Sequence, residues 1–271
     1  MIRLRRGFAL AVASLVLVLS MAVTNANASD VPVIAAASNI KFALDELAKQ
    51  FTQDTGEKVR ISYGSSGNFV AQIKHGAPFQ MFMSADEKYI EQLAKSGVTV
   101  DDGVLYAVGR LAIAAPINSP LQLDPELKGL KALIDSGELK RFAIANPDHA
   151  PYGERARALL TTFGLWESLT PHLIYGENVA QAAQFAVSGS TQGGIIALSL
   201  AIAPQFQKIG HYQALPESLH APIYQRMVLT NKAGATAKAF YAYLQTDAAR
   251  KVFSDFGFGL PAKATLTESG E

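Results

Sequence analysis

The sequence contains no cysteine, which excludes a disulfide framework and a lipid anchor attached to a cysteine. Histidine is also scarce, with five in 271 residues, and no two of them stand at the H-x-x-x-H spacing of a zinc-binding helix. The histidines are His75, His149, His172, His211 and His220. Because no cysteine supplements them, we expect no zinc site.

A strong charge of either sign is missing as well. The chain has 24 Lys and Arg against 23 Asp and Glu, and its first 28 residues carry three of the arginines and no acid. The other 243 residues therefore hold 21 basic and 23 acidic side chains, a formal net charge of −2. A near-neutral protein lacks the basic surface that nucleic acids and anionic lipids require, so we expect neither partner.

Common motifs of nucleotide-binding and hydrolytic sites are absent from the sequence. It has no P-loop and no Rossmann fingerprint, and GSSG at residues 64–67 does not match the G-x-S-x-G nucleophile elbow. The residues alone therefore indicate no catalytic centre.

A long apolar run lies at residues 8–23, behind a basic segment with three arginines at residues 3–6. Small residues follow at 26 and 28. This order is typical of a secretory signal peptide. A transmembrane anchor is the alternative, but the run is short for a membrane span and the small residues favour processing. We predict that residues 1–28 are removed after Ala28 and that the mature protein is periplasmic.

Predicted strands and helices alternate along the mature chain. Ile40, Leu44, Leu47 and Phe51, for example, lie on one face of a helix that follows a buried strand. Residues 105–115 read as one long strand. Such alternation predicts an α/β protein with largely parallel sheets, whose ligands bind beyond the carboxyl ends of the strands.

Polar residues stand at four of these strand ends, where a helix begins. The four junctions are Ser38-Asn39, YGSSGN at residues 63–68, NPDHAPYGE at 146–154 and YGENVAQ at 175–181. Each helix start leaves about four backbone N–H groups without intrahelical partners and carries about half a positive charge. Several such ends converging on one point would hold a dianion without any Arg or Lys.

Plain helix capping explains any one junction equally well. Asn178 followed by Gln181 fits a capping box, and Gly64 and Gly67 suit a tight turn. Capping and anion binding use different N–H groups, so the two roles are compatible. From the residues alone the choice stays open.

An ordered set of segments resembles the periplasmic molybdate-binding proteins of ATP-driven oxyanion importers. The segments are AAASN, YGSSGNFVAQIKHGAP, SADEKYIEQL, NPDHAPYG and the ending AFYAYL…AARKVFSDFGF, spread between residues 33 and 258. The resemblance implies the two-lobed α/β fold of type II periplasmic binding proteins, with mixed, mostly parallel sheets flanked by helices and the ligand in a cleft. Residues 29–112 and 226–271 would form one lobe and 113–225 the other, with crossovers near 111–115 and 224–228.

The resemblance also implies the ligands of the anion, position by position. Ser38 and Ser66 match serines that bind it through the hydroxyl and the backbone N–H, and Asn39 matches an Asn ligand of some members. Tyr152 and Val179 match positions that donate a backbone N–H. Molybdenum would then be bound only as the oxyanion, with no direct protein–metal bond and no cofactor.

Two positions depart from the family pattern. Some members have a Tyr ligand where this chain has Ala197, which implies a smaller or differently shaped site. Residues 77–80 are Ala-Pro-Phe-Gln where Ala-Pro-Ala-Asp is frequent, which changes the neighbourhood of the site.

The implied function is reversible capture of molybdate or tungstate by a monomer, without catalysis, and delivery to an ABC permease in the inner membrane. A carrier of sulfate or another small dianion is the nearest alternative. An exported α/β hydrolase is a remote one, and it would pair Ser66 with His149. An adhesion or signalling role on the same fold is a third.

Overall fold

The structure is a computed structural model that describes residues 31–262 of the chain. The predicted signal peptide, residues 1–28, lies outside the described residues. Within them, no helix has both the length and the apolar character needed to cross a bilayer.

The described strands are β1 (Val33–Ala37), β2 (Arg60–Gly64), β3 (Phe79–Ser84), β4 (Val104–Gly109), β5 (Leu111–Pro116), β6 (Phe142–Ala145), β7 (Leu173–Gly176), β8 (Gly194–Ala197), β9 (Gly210–Ala214) and β10 (Ile223–Leu229). The described helices are α1 (Lys41–Thr55), α2 (Ser66–Lys74), α3 (Glu87–Lys95), α4 (Lys128–Asp135), α5 (Pro151–Thr162), α6 (Trp166–Leu169), α7 (Val179–Val187), α8 (Leu198–Ala201), α9 (Pro204–Gln207), α10 (Ala235–Tyr243) and α11 (Asp247–Asp255). Short 3-10 turns lie at Ser38–Ile40, Thr170–His172 and Glu217–Leu219.

Two five-stranded mixed sheets organise these elements, and we call the parts built on them the first and the second lobe. The first sheet has the order β2-β1-β3-β10-β4, with β1 parallel to β2 and β3 and β10 antiparallel to its neighbours. The second has the order β7-β6-β8-β5-β9, with β6 parallel to its neighbours and β5 antiparallel to its own. Helices flank both sheets, which confirms the predicted two-lobed α/β fold.

The predicted long strand at residues 105–115 is wrong, because the chain changes sheets in its middle. β4 ends at Gly109 in the first sheet, and β5 begins at Leu111 in the second. At the break, the Arg110 carbonyl oxygen accepts a hydrogen bond from the Leu198 N–H at 2.9 Å. Apolar residues continue on both sides of Arg110, so the sequence pattern shows no interruption.

The chain returns to the first lobe between β9 and β10, at residues 215–222. Sequence reasoning missed β9, whose residues GHYQA have little apolar character because it is an edge strand of the second sheet. The two passages, at Arg110 and 215–222, lie beside the crossovers expected near 111–115 and 224–228.

Apolar faces of the helices cover both sheets. The predicted apolar helix face consists of Ile40, in the turn before α1, and of Leu44, Leu47 and Phe51 in α1. Each of these residues is at most 1% exposed, and they pack in one core cluster with Phe240 of α10 and Phe253 of α11. α2 and α3 contribute to a second cluster of the first lobe, and α4, α5 and α7 to the core of the second lobe. This packing brings the turns after β1 and β2 against the turns after β6 and β7.

Candidate functional site

The turns after β1, β2, β6 and β7 surround a small cavity between the lobes. All five residues predicted from the sequence line it: Ser38, Asn39, Ser66, Tyr152 and Val179. Each of them is at most 4% exposed. Within the described chain, the lining includes no charged side chain. An anion held here would therefore be bound by hydrogen bonds and helix dipoles.

Ser66 is the first residue of α2, but its side chain does not cap that helix. Its hydroxyl oxygen accepts a hydrogen bond from the Ala85 N–H, which follows β3, at 3.0 Å. A hydroxyl has one hydrogen to donate, and an oxygen occupied by a donor leaves that hydrogen for another partner. Ser66 is thus arranged to donate a hydrogen bond into the cavity that it lines.

Ser38 is arranged in the same way, but its partner is in the other lobe. Its hydroxyl oxygen accepts from the Ala180 N–H of α7 at 3.2 Å. The cap of α7 is Asn178, which accepts from the N–H groups of Ala180 and Gln181, both at 3.1 Å. Gln181 bonds the N–H of Glu177 and not that of Asn178, so the expected capping box is shifted by one residue. The first N–H of α7, that of Val179, donates no hydrogen bond to the Asn178 side chain.

The start of α5 has no side-chain cap. Ala150 stands at the cap position, and Pro151 at the first helical position has no N–H to be satisfied. The first helical N–H available to a ligand is that of Tyr152. Three helix starts, those of α2, α5 and α7, therefore face one cavity, and each adds the partial positive charge of a helix N-terminus.

The Asn39 side chain takes part in a buried network. Its Nδ2 donates to the Tyr152 hydroxyl at 3.3 Å and to Gln225 Oε1 at 3.0 Å, while its Oδ1 is buried without a partner. Gln225 Nε2 donates to the Tyr152 hydroxyl at 3.0 Å, and the Tyr106 hydroxyl donates to Gln225 Oε1 at 2.8 Å. Burial raises the pKa of both Tyr106 and Tyr152, so the phenols stay neutral.

Sequence reasoning missed Gln225 and Tyr106. A signal was present, because Gln225 interrupts the apolar strand IYQRMVL at a position that is fully buried. A buried amide needs partners, and such a residue in a strand interior indicates a polar network.

His149 contacts Ser65, which lines the cavity, and joins the lobes. Its Nδ1 is 3.1 Å from the Ser65 hydroxyl, and its carbonyl oxygen accepts from the Gly67 N–H at 3.0 Å. Its Nε2 is 3.7 Å from Glu177 Oε2. His149 therefore pairs with Ser65, and the Ser66–His149 pair considered for a hydrolase does not form.

Four charged side chains from the two lobes form an ion-pair cluster near the cavity, which we call the clasp: Asp86, Lys88, Glu154 and Arg155. Arg155 Nη2 lies 3.2 Å from Asp86 Oδ2, and Lys88 contacts Glu154. Burial raises the pKa of Asp86, although the N–H and the charge of Lys88 and the charge of Arg155 oppose this effect. Two cations and two carboxylates leave the clasp with no formal net charge.

Ala197, the position where some relatives were expected to have a Tyr ligand, is fully buried at the end of β8. Two residues further on, the Ser199 hydroxyl donates to the carbonyl oxygen of Asn39 at 2.8 Å and thereby supports the turn after β1. Among residues 31–262, no group of three or more acidic or histidine side chains is placed to hold a metal ion.

Comparison with known proteins gives consistent matches over most of the chain. The family model for bacterial extracellular solute-binding proteins matches residues 32–259. The molybdate-binding protein ModA of Azotobacter vinelandii is 35% identical over 230 residues, which are 84% of this chain and 89% of that protein. ModA of Rhodobacter capsulatus is 34% identical over 229 residues, 83% of this chain and 87% of that protein. The solved structure of the Azotobacter vinelandii periplasmic molybdate-binding protein superposes with a TM-score of 0.77 at 33% identity and covers 85% of this chain and 99% of its own.

Proposed function

The chain belongs to the bacterial extracellular solute-binding proteins, and we propose that within this family it captures molybdate, and also tungstate, for delivery to an ABC permease. The ligand would be bound in the cavity of Ser38, Asn39, Ser66, Tyr152 and Val179. Relatives with about one third of their residues in common are molybdate-binding proteins, which supports this choice of ligand. We also propose that the chain is exported across the inner membrane and that capture takes place in the periplasm.

One observation carries the proposal: the hydroxyls of Ser38 and Ser66 both accept from backbone N–H groups and are left to donate. Uncapped N–H groups at Tyr152 and Val179 add donors from the second lobe. A cavity of donors suits an oxyanion that carries no proton. Monohydrogen phosphate brings a donor of its own, which would stay unpaired at a cost of about 1–3 kcal/mol.

Capture would proceed without chemistry and without a cofactor. Donors from both lobes replace the water around the anion, and molybdenum is bound only through its oxygens. Because each lobe supplies part of the site, binding favours the closed arrangement, by a hinge motion about the two passages between the sheets. We propose a monomeric carrier whose lobe limits lie at the two passages between the sheets, at Arg110 and within 215–222, a few residues from the limits expected at 112–113 and 225–226.

A carrier of sulfate or another small dianion is the second candidate. Sulfate is also a fully ionised tetrahedral dianion, so the same donors would serve it, and only the size of the cavity separates the two ligands.

Native mass spectrometry of residues 29–271 tests the proposal. We expect a one-to-one adduct with molybdate and with tungstate at equimolar concentrations of protein and anion. Absence of both adducts under conditions where the protein remains folded would contradict the proposed function.

A further inference from the structure

Four buried polar side chains form a network beside the cavity: Asn39, Tyr106, Tyr152 and Gln225. Each is at most 3% exposed. The amide nitrogens of Asn39 and Gln225 both donate to the Tyr152 oxygen, at 3.3 and 3.0 Å, so in the described chain the hydrogen of that phenol has no acceptor. Asn39 Oδ1 also lacks a partner. Buried polar groups are nearly always paired, so two unpaired groups in one network need an explanation.

The two ends of a carboxamide have nearly the same shape, and the surrounding hydrogen bonds decide which end is nitrogen. With both amides turned over, the Gln225 nitrogen donates to the Asn39 oxygen across the 3.0 Å contact and to the Tyr106 oxygen across the 2.8 Å contact. The Tyr152 O–H then donates to the Gln225 oxygen at 3.0 Å, and the Tyr106 O–H donates to the Ser84 carbonyl at 3.2 Å. In this arrangement, the NH2 group of Asn39 is the one group of the four side chains that has no hydrogen-bond partner.

We propose that Gln225 and Tyr106 are positioning residues that turn the Asn39 amide so that its NH2 group, and not its oxygen, is offered to the anion. Asn39 lines the cavity, so the unpaired end of its side chain is the end available to a ligand. The inference rests on the proposed oxyanion function. With NH2 toward the cavity the site donates only, whereas with the oxygen there it would accept the proton of an anion such as HPO4²⁻.

The network thereby selects the protonation state of the ligand, and Gln225→Glu tests this selection. An ionised carboxylate at this position only accepts, so the Asn39 nitrogen must donate to it and its oxygen turns to the cavity. Because burial raises the pKa of such a carboxyl, the titration is done at about pH 9, where the carboxyl is ionised. We expect the preference for molybdate over hydrogen phosphate, measured by titration calorimetry, to fall at least about tenfold (~1.4 kcal/mol). Repulsion by the new negative charge would weaken both dianions equally, so an unchanged preference would overturn the proposal.

Gln225→Met is the matched uncharged control. Its side chain has a similar length and neither donates nor accepts strongly, and the Tyr152 O–H still reaches the Asn39 oxygen across the 3.3 Å contact. The Asn39 amide then loses the Gln225 donor and keeps only the weaker Tyr152 donor, so we expect the preference for molybdate to fall, but by less than in Gln225→Glu. An unchanged preference would show that Gln225 does not position the amide. A loss of preference as large as that of Gln225→Glu would argue against orientation as the cause.

The amide direction is also measurable without ligand, by NMR of the parent protein labelled with ¹⁵N at glutamine. In the proposed arrangement the Gln225 NH2 protons lie against the Tyr106 hydroxyl, and cross-relaxation with the Tyr106 ring is expected. Cross-relaxation with the Tyr152 ring alone would overturn the inference. If the parent protein binds no oxyanion at all, the proposed function fails, and this measurement still decides the orientation.

Discussion

Ser38 and Ser66 each accept a hydrogen bond from a backbone N–H group, at 3.2 and 3.0 Å. Each hydroxyl therefore has one hydrogen left to give, and both residues line the same cavity. Hydrogen bonds to a charged partner are roughly twice as strong as those between neutral groups. At the scale of single residues, the two serines should matter more for binding than for folding.

Removal of the Ser66 hydroxyl tests this expectation. Ser66→Ala should lose about 1–3 kcal/mol of molybdate affinity, because a charge-assisted hydrogen bond disappears and the Ala85 N–H loses its acceptor. Titration calorimetry measures the change. An unchanged affinity together with a lower melting temperature would show that the hydroxyl only supports the fold.

Ser65→Ala is the neighbouring control for this experiment. The Ser65 hydroxyl faces Nδ1 of His149 at 3.1 Å, so it is already engaged with a side chain of the second lobe. We expect its loss to change the molybdate affinity less than the loss of the Ser66 hydroxyl does. Equal losses for the two variants would mean that position in the cavity, and not donor direction, determines the effect.

At the scale of elements, the start of α2 approaches the turn after β6 very closely. The Gly67 N–H donates to the His149 carbonyl at 3.0 Å, and a methyl group added at Gly67 would lie 2.9 Å from both Cβ and the carbonyl oxygen of His149. Backbone cannot yield at such a distance, so closure of the lobes requires glycine here.

Gly67→Ala should therefore have opposite effects on binding and on folding. Alanine favours a helix over glycine by about 1 kcal/mol, so the unliganded protein should unfold at an equal or higher temperature. Molybdate affinity should fall more than about tenfold, because the lobes can no longer approach (~1.4 kcal/mol). Calorimetry and thermal unfolding give both values, and an unaltered affinity would show that this approach is not needed for binding.

The clasp links α3 to α5 beside the same cavity. Arg155 is one helical turn from Tyr152, and its partner Asp86 is next to Ala85, which bonds Ser66. The ion pair thus joins segments of both lobes that line the cavity. We expect Arg155→Met to weaken molybdate binding by about three- to tenfold, since partly buried pairs contribute more than exposed ones.

Two further variants separate closure from simple attraction of the anion. Arg157→Met removes a cation from the same helix. Arg157 Nη1 lies 3.8 Å from Asp148 Oδ1, which belongs to the same lobe, so we expect this variant to leave molybdate binding nearly unchanged. Asp86→Asn keeps a side chain that can cap α3 but breaks the pair with Arg155. Closure predicts weaker binding for Asp86→Asn, whereas loss of a nearby negative charge alone would make binding stronger.

Elements and their junctions are largely predictable, because their signals are local. The stripe from Ile40 to Phe51 and the cap at Asn178 are read directly from residue spacing, and both are confirmed. The break at Arg110 and the pair of Arg155 with Asp86 are not local. They depend on which sheet a strand joins and on which loops meet across the lobes, and no short window of sequence carries that information.

At the scale of the whole molecule, buried phenols make the fold sensitive to alkali. Burial raises the pKa of Tyr106 well above its ordinary value, and burial with the charges of Glu154 and Asp86 raises that of Tyr89 to about 12. The folded state therefore binds these protons more strongly than the unfolded chain, in which phenols ionise near pH 10. Their stabilising contribution is complete below pH 10 and decreases as the pH rises further, and that of Tyr89 is lost as the pH passes through about 12.

Alkaline titration should show this coupling. We expect the free energy of unfolding to decrease above pH 10, with phenolate absorbance near 295 nm rising together with loss of circular dichroism. Tyr89→Phe should reduce the slope of stability against pH between 10 and 12. Full ionisation of all nine tyrosines near pH 10 with the fold intact would contradict the burial described here.

The sequence predicts only part of the site. Strand ends with polar caps indicated four places where an anion could bind, and family resemblance indicated which group in each place donates. Neither source revealed Gln225, whose partners Asn39, Tyr106 and Tyr152 come from distant segments in both lobes. A network of this kind exists only after the lobes have come together.

Titration calorimetry of residues 29–271, freed of bound anion, tests the central claim most directly. Molybdate, tungstate, sulfate and phosphate would be injected separately. The account expects tight one-to-one binding of molybdate and tungstate, with sulfate at least about a hundredfold weaker (~2.7 kcal/mol) and phosphate weaker still. Sulfate binding as tight as molybdate would make the protein a general dianion carrier, and heat from none of the four anions would contradict oxyanion capture altogether.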